Sequence, residues 1–384
     1  MREKTKKILI LNYEFPPVGG GGGVAAFKLA KGFVNLGHQV DVITSGYLDL
    51  KSFEIIEGVN TYRVKTVGRK DKNSATMTSM FSYLIFGFFK GVKLCKKNQY
   101  DFINTHFAVP TGPLGYLLGR LFNNQNVLSI HGGDIYDPSK KISPHKSKIF
   151  NPIVKFILNK ADFIVAQSNN TKDNALNYYN KQLNIKIIPL AYEELDFDIV
   201  DRSQLNLSKN KQYLIGVGRL VKRKGFEYLI RSLKYLDANI HLLIVGDGPE
   251  RTPLEAEAKD LELANRVTFL GNISEKEKFQ YLQDSDLYVL SSLHEGFGIV
   301  IQEAMQVGLP VVSTNHGGQV DLIKNGENGY LVPPKDPSAL AKKIKIILSN
   351  KPLRQQFSAY NKNLIIKFNI NTIAQEYIDL TKII

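Results

Sequence analysis

The sequence predicts two α/β domains, each a parallel β-sheet with helices wound on both faces. Three observations point there. The chain has 384 residues, too many for one ordinary core and suited to two. Short β-branched runs alternate from end to end with stretches whose apolar residues recur at three and four, the pattern of repeated βαβ units. The rhythm breaks once, at residues 191–212 (AYEELDFDIVDRSQLNLSKNKQ), a polar and acidic stretch with few strand formers. That stretch reads as the connection between a first domain, 1–192, and a second, 193–367.

Taken in order, KKILILN, QVDVITS, YDFINTH, NVLSIH, FIVAQS and IKIIPLA read as buried strands of the first half. YLIGVGR, HLLIVGD, RVTFLG, LYVLSS, PVVSTN and GYLVP repeat the pattern in the second. GVAAFKLAKGFVNLG and GFEYLIRSLKYL have helical spacing, and the final stretch 368–384 (FNINTIAQEYIDLTKII) is an amphipathic helix.

A hydrophobic content of 43% with 22% charged residues excludes a disordered chain. The single cysteine, Cys95, excludes an internal disulfide and suits a reducing compartment. The first apolar run is short and ends in Asn12 and Tyr13, so it reads as a strand, not a signal peptide. Met80 to Phe89 is about half of what a spanning helix needs. A cytoplasmic protein is expected.

The net charge of +14 is unevenly placed. Through Leu190 there are 26 Lys and Arg against 12 Asp and Glu, and beyond it the remaining 24 and 24 cancel. The whole excess lies in the first half and suits an anionic partner. The basic residues do not interleave with aromatics in a nucleic-acid module, so no nucleic-acid partner is expected. The segments MTSMFSYLIFGFFKGVKLCKKN and KKISPHKSKIFNPIVKFILNK set bulky apolar residues beside lysines. Such segments suit peripheral docking on an anionic membrane face.

The densest motif is HEGFGIVIQEAMQVGLPVV, 294–312. Gly296 and Gly298 open a turn after strand LYVLSS. A helix from about Ile299 to Val307 follows and stops at Gly308. The first-turn amides of such a helix, from Gly298, Ile299 and Val300, form an anion site. Glu295, in the loop beside Phe297, is placed to accept hydrogen bonds from sugar hydroxyls, and Glu303, one turn into the helix, from ribose hydroxyls.

In GVGRLVKRKGFEYLI, 216–230, Arg219 lies just past a strand end and Gly218. Lys224 precedes the glycine that opens a helix. An arginine fork and a lysine point charge suit a diphosphate whose charge grows as it leaves. Lys222 and Arg223 are expected to face solvent.

FPPVGGGGGVAAFKLA places Gly19 and Gly20 at the first strand-to-helix turn, where backbone can approach a phosphate or sugar. Val24 stands where the dinucleotide fingerprint needs its third glycine, and no acidic residue ends QVDVITS. A nicotinamide dehydrogenase is therefore excluded. In SIHGGDIYD, His131 ends a strand and precedes Gly-Gly-Asp134, and His106 ends the strand before. His131 reads as a sugar contact, and His106 and Asp134 as acceptor-pocket residues. Asp284 and Asp286 precede a strand, so they read as a helix exit, not metal ligands; no His/Cys cluster has metal-ligand spacing.

Together these motifs resemble glycosyltransferase family 4, the retaining group with the GT-B fold. They are FPPVGGGGG with GHQVDVIT, THFAVPTG, SIHGGD, VGRLVKRKGF, IVGDGP, the Glu295/Glu303 block, NHGGQVDLI and NGENGYLVPPKDP. The resemblance implies two Rossmann-like doubly wound domains facing a central cleft, with helix 368–384 crossing back to the first. It implies a nucleotide-sugar donor, UDP- or GDP-linked, on the second domain. The first would hold a saccharide or lipid-linked acceptor, with no metal or cofactor. Arg219 and Lys224 would neutralise the diphosphate, Glu303 hold the ribose, and Glu295 and His131 contact the donor sugar. Gly19–Gly20 and the amides near Gly298 to Val300 would approach the phosphates. Asn369 stands where the family often has an aromatic residue. Two alternatives are a non-hydrolysing sugar-nucleotide epimerase on the same architecture and a nucleic-acid-binding protein.

Overall fold

A computed structural model describes residues 4–72, 75–138 and 143–382. Of the segments named above, Lys140 to Ile142 and the last two residues of the final helix fall outside that range. The chain divides into two compact units: one runs to Glu193 and resumes at Phe368, the other is Glu194–Lys367.

The first unit is built on a sheet of β1 (Lys7–Leu11), β2 (Gln39–Ser45), β3 (Phe53–Ile56), β4 (Val59–Val64), β5 (Phe102–His106), β6 (Gln125–Ile130), β7 (Phe163–Ala166) and β8 (Ile185–Ile187). Their order is β3-β4-β2-β1-β5-β6-β7-β8. All pairs are parallel except β3 with β4. The central parallel strands are buried almost throughout because helices cover both faces.

The β3–β4 hairpin was not anticipated. Its two-residue turn, Glu57–Gly58, has φ of +46° and +82°, the two positive dihedrals that tight hairpin turns require. As an edge strand with exposed Phe53 and Ile55, β3 lacks the apolar run that marks the central strands.

Helices α1 (Gly21–Asn35), α2 (Met77–Lys97), α3 (Gly112–Phe122), α4 (Phe150–Lys160) and α5 (Asn169–Tyr178) connect these strands. A capping box starts α2: Thr76 accepts from the Ser79 amide, and Ser79 Oγ accepts from the Thr76 amide.

The second unit has an all-parallel sheet of β9 (Gln212–Val217), β10 (Ile240–Val245), β11 (Val267–Gly271), β12 (Leu287–Leu290), β13 (Val311–Thr314) and β14 (Gly329–Val332). Its order is β11-β10-β9-β12-β13-β14. Around it lie α6 (Phe226–Ser232), α7 (Arg251–Asp260), α8 (Glu275–Gln283), α9 (Ile299–Gln306), α10 (Pro337–Leu348) and α11 (Lys351–Ile365). Leu214, Ile244, Val289, Val312 and Phe357 fill its core. Gly308 closes α9 at φ +77°, a left-handed position that glycine adopts at little cost.

The final helix, α12 (Ile370–Leu380), belongs to the first unit. Ile370, Ile373, Ala374, Tyr377 and Ile378 form its buried stripe. It packs so closely on α1 that a Cβ on Gly32 would lie 2.4 Å from the Ile370 carbonyl oxygen. Asn369, in place of an aromatic, caps the helix by accepting from the Asn371 amide at 2.9 Å.

Strand order reverses direction between β1 and β5 in the first sheet, and between β9 and β12 in the second. Doubly wound sheets bind ligands beyond the carboxyl ends of the strands at such points.

Candidate active site

In the second unit, the turns after β9 and β12 flank the reversal point. Gly218 leaves β9 at φ +156° and Gly225 opens α6 at φ +61°. Between them, Lys224 reaches across to form an ion pair with Glu295 Oε1. Ser292 Oγ donates to the same oxygen at 2.9 Å, and Arg223 Nη1 lies 3.7 Å from Oε2. The Leu293 amide donates to the Arg223 carbonyl at 2.7 Å and stitches the two turns together.

Glu295 is only 7% exposed. Burial alone would raise its pKa, but Lys224 and Arg223 outweigh it and hold the carboxyl below its ordinary value. The expectation that Arg223 faces solvent is therefore corrected: it donates to the His294 carbonyl at 3.2 Å and belongs to this cluster. Lys222 is exposed as expected.

Arg219 is exposed, and its side chain makes no hydrogen bond or ion pair among the described residues. It and Lys224 thus stand on one turn in different states, one open and one paired.

Behind Glu295, the loop after β13 closes against its backbone. The Gly318 amide donates to the Glu295 carbonyl at 2.8 Å, and a Cβ on Gly317 would come within 2.6 Å of that oxygen. Phe297 is buried, Gly296 half-buried, and Gly298 caps α9 at φ +107°. The Ile299 and Val300 amides belong to the first turn, which has no intrahelical acceptor for them.

Farther along α9, Glu303 Oε1 lies 2.9 Å from Lys278 Nζ, both side chains nearly buried. Lys278 also meets Glu275 at 2.8 Å. Lys278 escaped sequence reasoning because EKEKFQYLQ looks like an ordinary solvated helix.

In the first unit, the glycine turn after β1 folds tightly on Glu14. Gly19 has φ +102°, and a Cβ there would lie 2.4 Å from Glu14 Cβ. The Gly19 amide donates to the Lys72 carbonyl at 2.8 Å and the Gly20 amide to Glu14 Oε2 at 3.0 Å. The expectation that this turn approaches phosphates is thus narrowed, because both amides are already engaged. Open space lies around Gly20 Cα. A Cβ on Gly22 would strike the Phe107 ring at 2.3 Å.

Phe107, just past β5, has φ +74°, costly for a bulky side chain. Its ring centroid lies 4.6 Å from that of His131. Nothing in THFAVPTG marks this residue in sequence.

His106 Nδ1 and His131 Nε2 are 2.9 Å apart. His106 is 2% exposed, and its Nε2 is buried with no hydrogen-bond partner among the described residues. The expectation of an acceptor-pocket wall is corrected: His106 stands behind His131. A buried orphan lone pair costs less than an orphan N–H. The cheaper tautomer therefore has His106 Nδ1 donating to His131 Nε2, which leaves Nδ1–H of His131 as the donor outside the pair.

Burial, with Gln167 opposing, pushes His131 down to about 4. His106 falls well below its ordinary value through burial and the nearby His131. Both rings are neutral at pH 7.

Asp134 also changes role. It accepts from the His131 amide at 2.9 Å and the Ala108 amide at 2.7 Å, so both oxygens hold the loop. Gln167, after β7, donates to the His131 carbonyl at 2.6 Å.

Asp284 ends α8 and Asp286 precedes β12, where Asp286 meets Arg202 at 3.3 Å and accepts from the Tyr213 amide. Among the described residues no group of three or more His, Cys, Asp or Glu is placed to hold a metal ion.

Residues 19–193 match the Glycosyltransferase Family 4 model and residues 198–364 match Glycosyl transferases group 1. An uncharacterized glycosyltransferase of Methanocaldococcus jannaschii is 30% identical, with 98% of each chain covered. The N-acetyl-alpha-D-glucosaminyl L-malate synthase of Bacillus anthracis is 26% identical over 89% of this chain and 87% of its own. The sucrose-phosphate synthase structure from Thermosynechococcus elongatus superposes with a TM-score of 0.85 at 25% identity, covering 98% of both chains. With two reversal-point clusters on two parallel α/β units and matches along nearly its whole length, the chain belongs to the group 1, family 4 glycosyltransferases of GT-B fold.

Proposed function

We propose that the protein is a retaining, metal-independent hexosyltransferase. It moves a hexose-type sugar from a UDP- or GDP-sugar to a saccharide or lipid-linked saccharide, in cell-envelope polysaccharide or glycolipid synthesis. The observation that carries this reading is the Lys224–Glu295 pair at the β9/β12 reversal point, with Arg219 exposed on the same turn as Lys224.

Lys224 and Arg219 supply preorganised positive charge for a leaving diphosphate. Ionised Glu295 accepts hydrogen bonds from the donor sugar, and Glu303, oriented by Lys278, takes the ribose. His131 offers Nδ1–H to the sugar. The second unit thus holds the donor and the first, 1–192 with 368–384, the acceptor.

Among retaining routes, the way the site's carboxylates are used favours same-face attack over a covalent intermediate. Glu295 is pinned by Lys224, Arg223 and Ser292, Glu303 by Lys278, and Asp134 by two amides. None is poised as a nucleophile. The acceptor oxygen bonds to the anomeric carbon on the face that the diphosphate leaves. Its proton passes to the departing phosphate oxygen. The two cations take the role a metal would otherwise play.

A thermal-shift panel of UDP- and GDP-sugars tests donor binding, since a ligand for the folded state raises its stability by mass action. Stabilisation by one nucleotide sugar is expected. No shift with any member contradicts the reading. Turnover of a nucleotide sugar with no acceptor would favour the epimerase alternative.

We also propose that the basic first half brings the enzyme to the inner, anionic face of a membrane. No helix among the described residues is long and apolar enough to cross one, so attachment would be peripheral.

A further inference from the structure

The first unit carries a face that the transfer chemistry does not use. Helices α2, α3 and α4 pack side by side on one side of its sheet. On them Phe81 and Phe89 are each 66% exposed, and Ile85, Phe86, Leu117, Leu121 and Phe156 are also open to solvent. A ridge of large apolar side chains over three neighbouring helices exceeds the scatter normal for a surface.

The charge on these helices has one sign. They contain Lys90, Lys93, Lys96, Lys97, Arg120, Lys155 and Lys160 and no Asp or Glu. All but Lys90 are exposed. The core of a helix requires its inner stripe, here Tyr83, Gly87, Gly91 and Leu94 on α2; it requires neither the outer phenylalanines nor the lysines.

The two kinds of residue are also sorted along α2. This helix joins β4 to β5, which run in the same direction through β2 and β1, so it runs back against them. Its apolar start, Met77 to Phe86, therefore lies at the strand ends that carry His106 and His131. Lys93, Lys96 and Lys97 lie at the opposite end of the sheet.

We propose that the outer face of α2, α3 and α4 docks on an anionic lipid surface. Phe81, Phe86 and Phe89 enter the interface, and the lysines meet lipid headgroups. This deepens the proposed use of a lipid-linked acceptor and rests on it, because the apolar end of α2 is the end nearest the His131 cluster. A second copy of the chain fits the face poorly. A two-fold contact would set seven cations against the same seven. A face of exposed apolar side chains and cations with no acid is what an anionic bilayer surface complements.

Flotation of the full chain with phosphatidylcholine vesicles, with and without about 30 mol% phosphatidylglycerol, tests the proposal. The wild type should float with the anionic vesicles at low salt, remain behind with neutral ones, and release at about 1 M salt, where screening is short-ranged. The triple variant Lys93→Glu, Lys96→Glu, Lys97→Glu should bind at least about a hundredfold more weakly, since each lost cation removes about a factor of five near such lipid and each added carboxylate is repelled. Phe81→Ser with Phe89→Ser should also lose flotation.

Wild-type protein that stays behind with anionic vesicles overturns the proposal, as does flotation that neither salt nor these substitutions reduce. Loss of a dimer in the variants with vesicle binding intact overturns it too and assigns the face to self-association. Stabilisation by nucleotide sugars is measured in parallel by thermal shift without lipid. Flotation with no such stabilisation contradicts the glycosyltransferase reading alone, and stabilisation without flotation contradicts the docking alone.

Discussion

Lys224 and Glu295 stand on the turns after β9 and β12, the two strands between which the second sheet reverses, and their side chains pair across that point. The pair keeps a buried carboxylate ionised and holds an ammonium at the reversal point. Neither group has to be recruited when an anion arrives, so little reorganisation accompanies charge development.

Arg219→Ala should separate function from folding, whereas Lys224→Ala should impair both. Each should lower turnover by roughly two to three orders of magnitude, the scale of one preorganised charge. Lys224→Ala should also cost about 3 kcal/mol of stability, since it leaves Glu295 buried with a weaker partner. Arg219→Ala should stay within about 0.5 kcal/mol of wild type because its side chain is exposed. Kinetics and urea unfolding of both variants measure this; near-wild-type turnover in both removes them from the diphosphate site.

Stability should fall in acid through the histidine pair. An unfolded histidine titrates near 6.5, whereas folded His131 is held down to about 4. Between those values the unfolded chain binds a proton that the folded chain refuses. The contribution is therefore full above about 6.5 and lost as pH falls toward 4. For His131 it amounts to about 3 kcal/mol. Urea unfolding from pH 7 to 4.5 should show the loss, and His131→Asn should flatten part of it. Equal slopes for both proteins would contradict the neutral pair.

Activity should survive exhaustive chelation, because Lys224 and Arg219 supply the positive charge that a metal supplies elsewhere. A loss restored by manganese or magnesium would turn attention to Asp284 and Asp286.

Much of this was legible in the sequence because glycine and β-branched residues are local signals. Gly296, Gly298 and Gly308 bracket α9, and the strands QVDVITS and LYVLSS stand where their apolar runs lie. The same local signals put His106 and His131 at strand ends, Lys224 before the glycine that opens α6, and Glu295 in the loop after β12. The partners of those residues were not legible, because tertiary packing assigns them. Lys278 reaches Glu303 from another helix, Arg223 turns inward from a run of four basic positions, and His106 is covered by its neighbour. The β3–β4 hairpin was hidden for a different reason. An edge strand needs no buried run, and only the pair Glu57–Gly58 marks its turn.

The central claim is sugar transfer from a nucleotide donor with retained configuration. Proton NMR of the anomeric signal during turnover of the stabilising nucleotide sugar, with acceptor present, tests it most directly. The account predicts that the new glycosidic proton carries the donor's anomeric configuration while free nucleoside diphosphate accumulates in step. An inverted anomeric signal, or an epimerised nucleotide sugar with no glycoside formed, would contradict it.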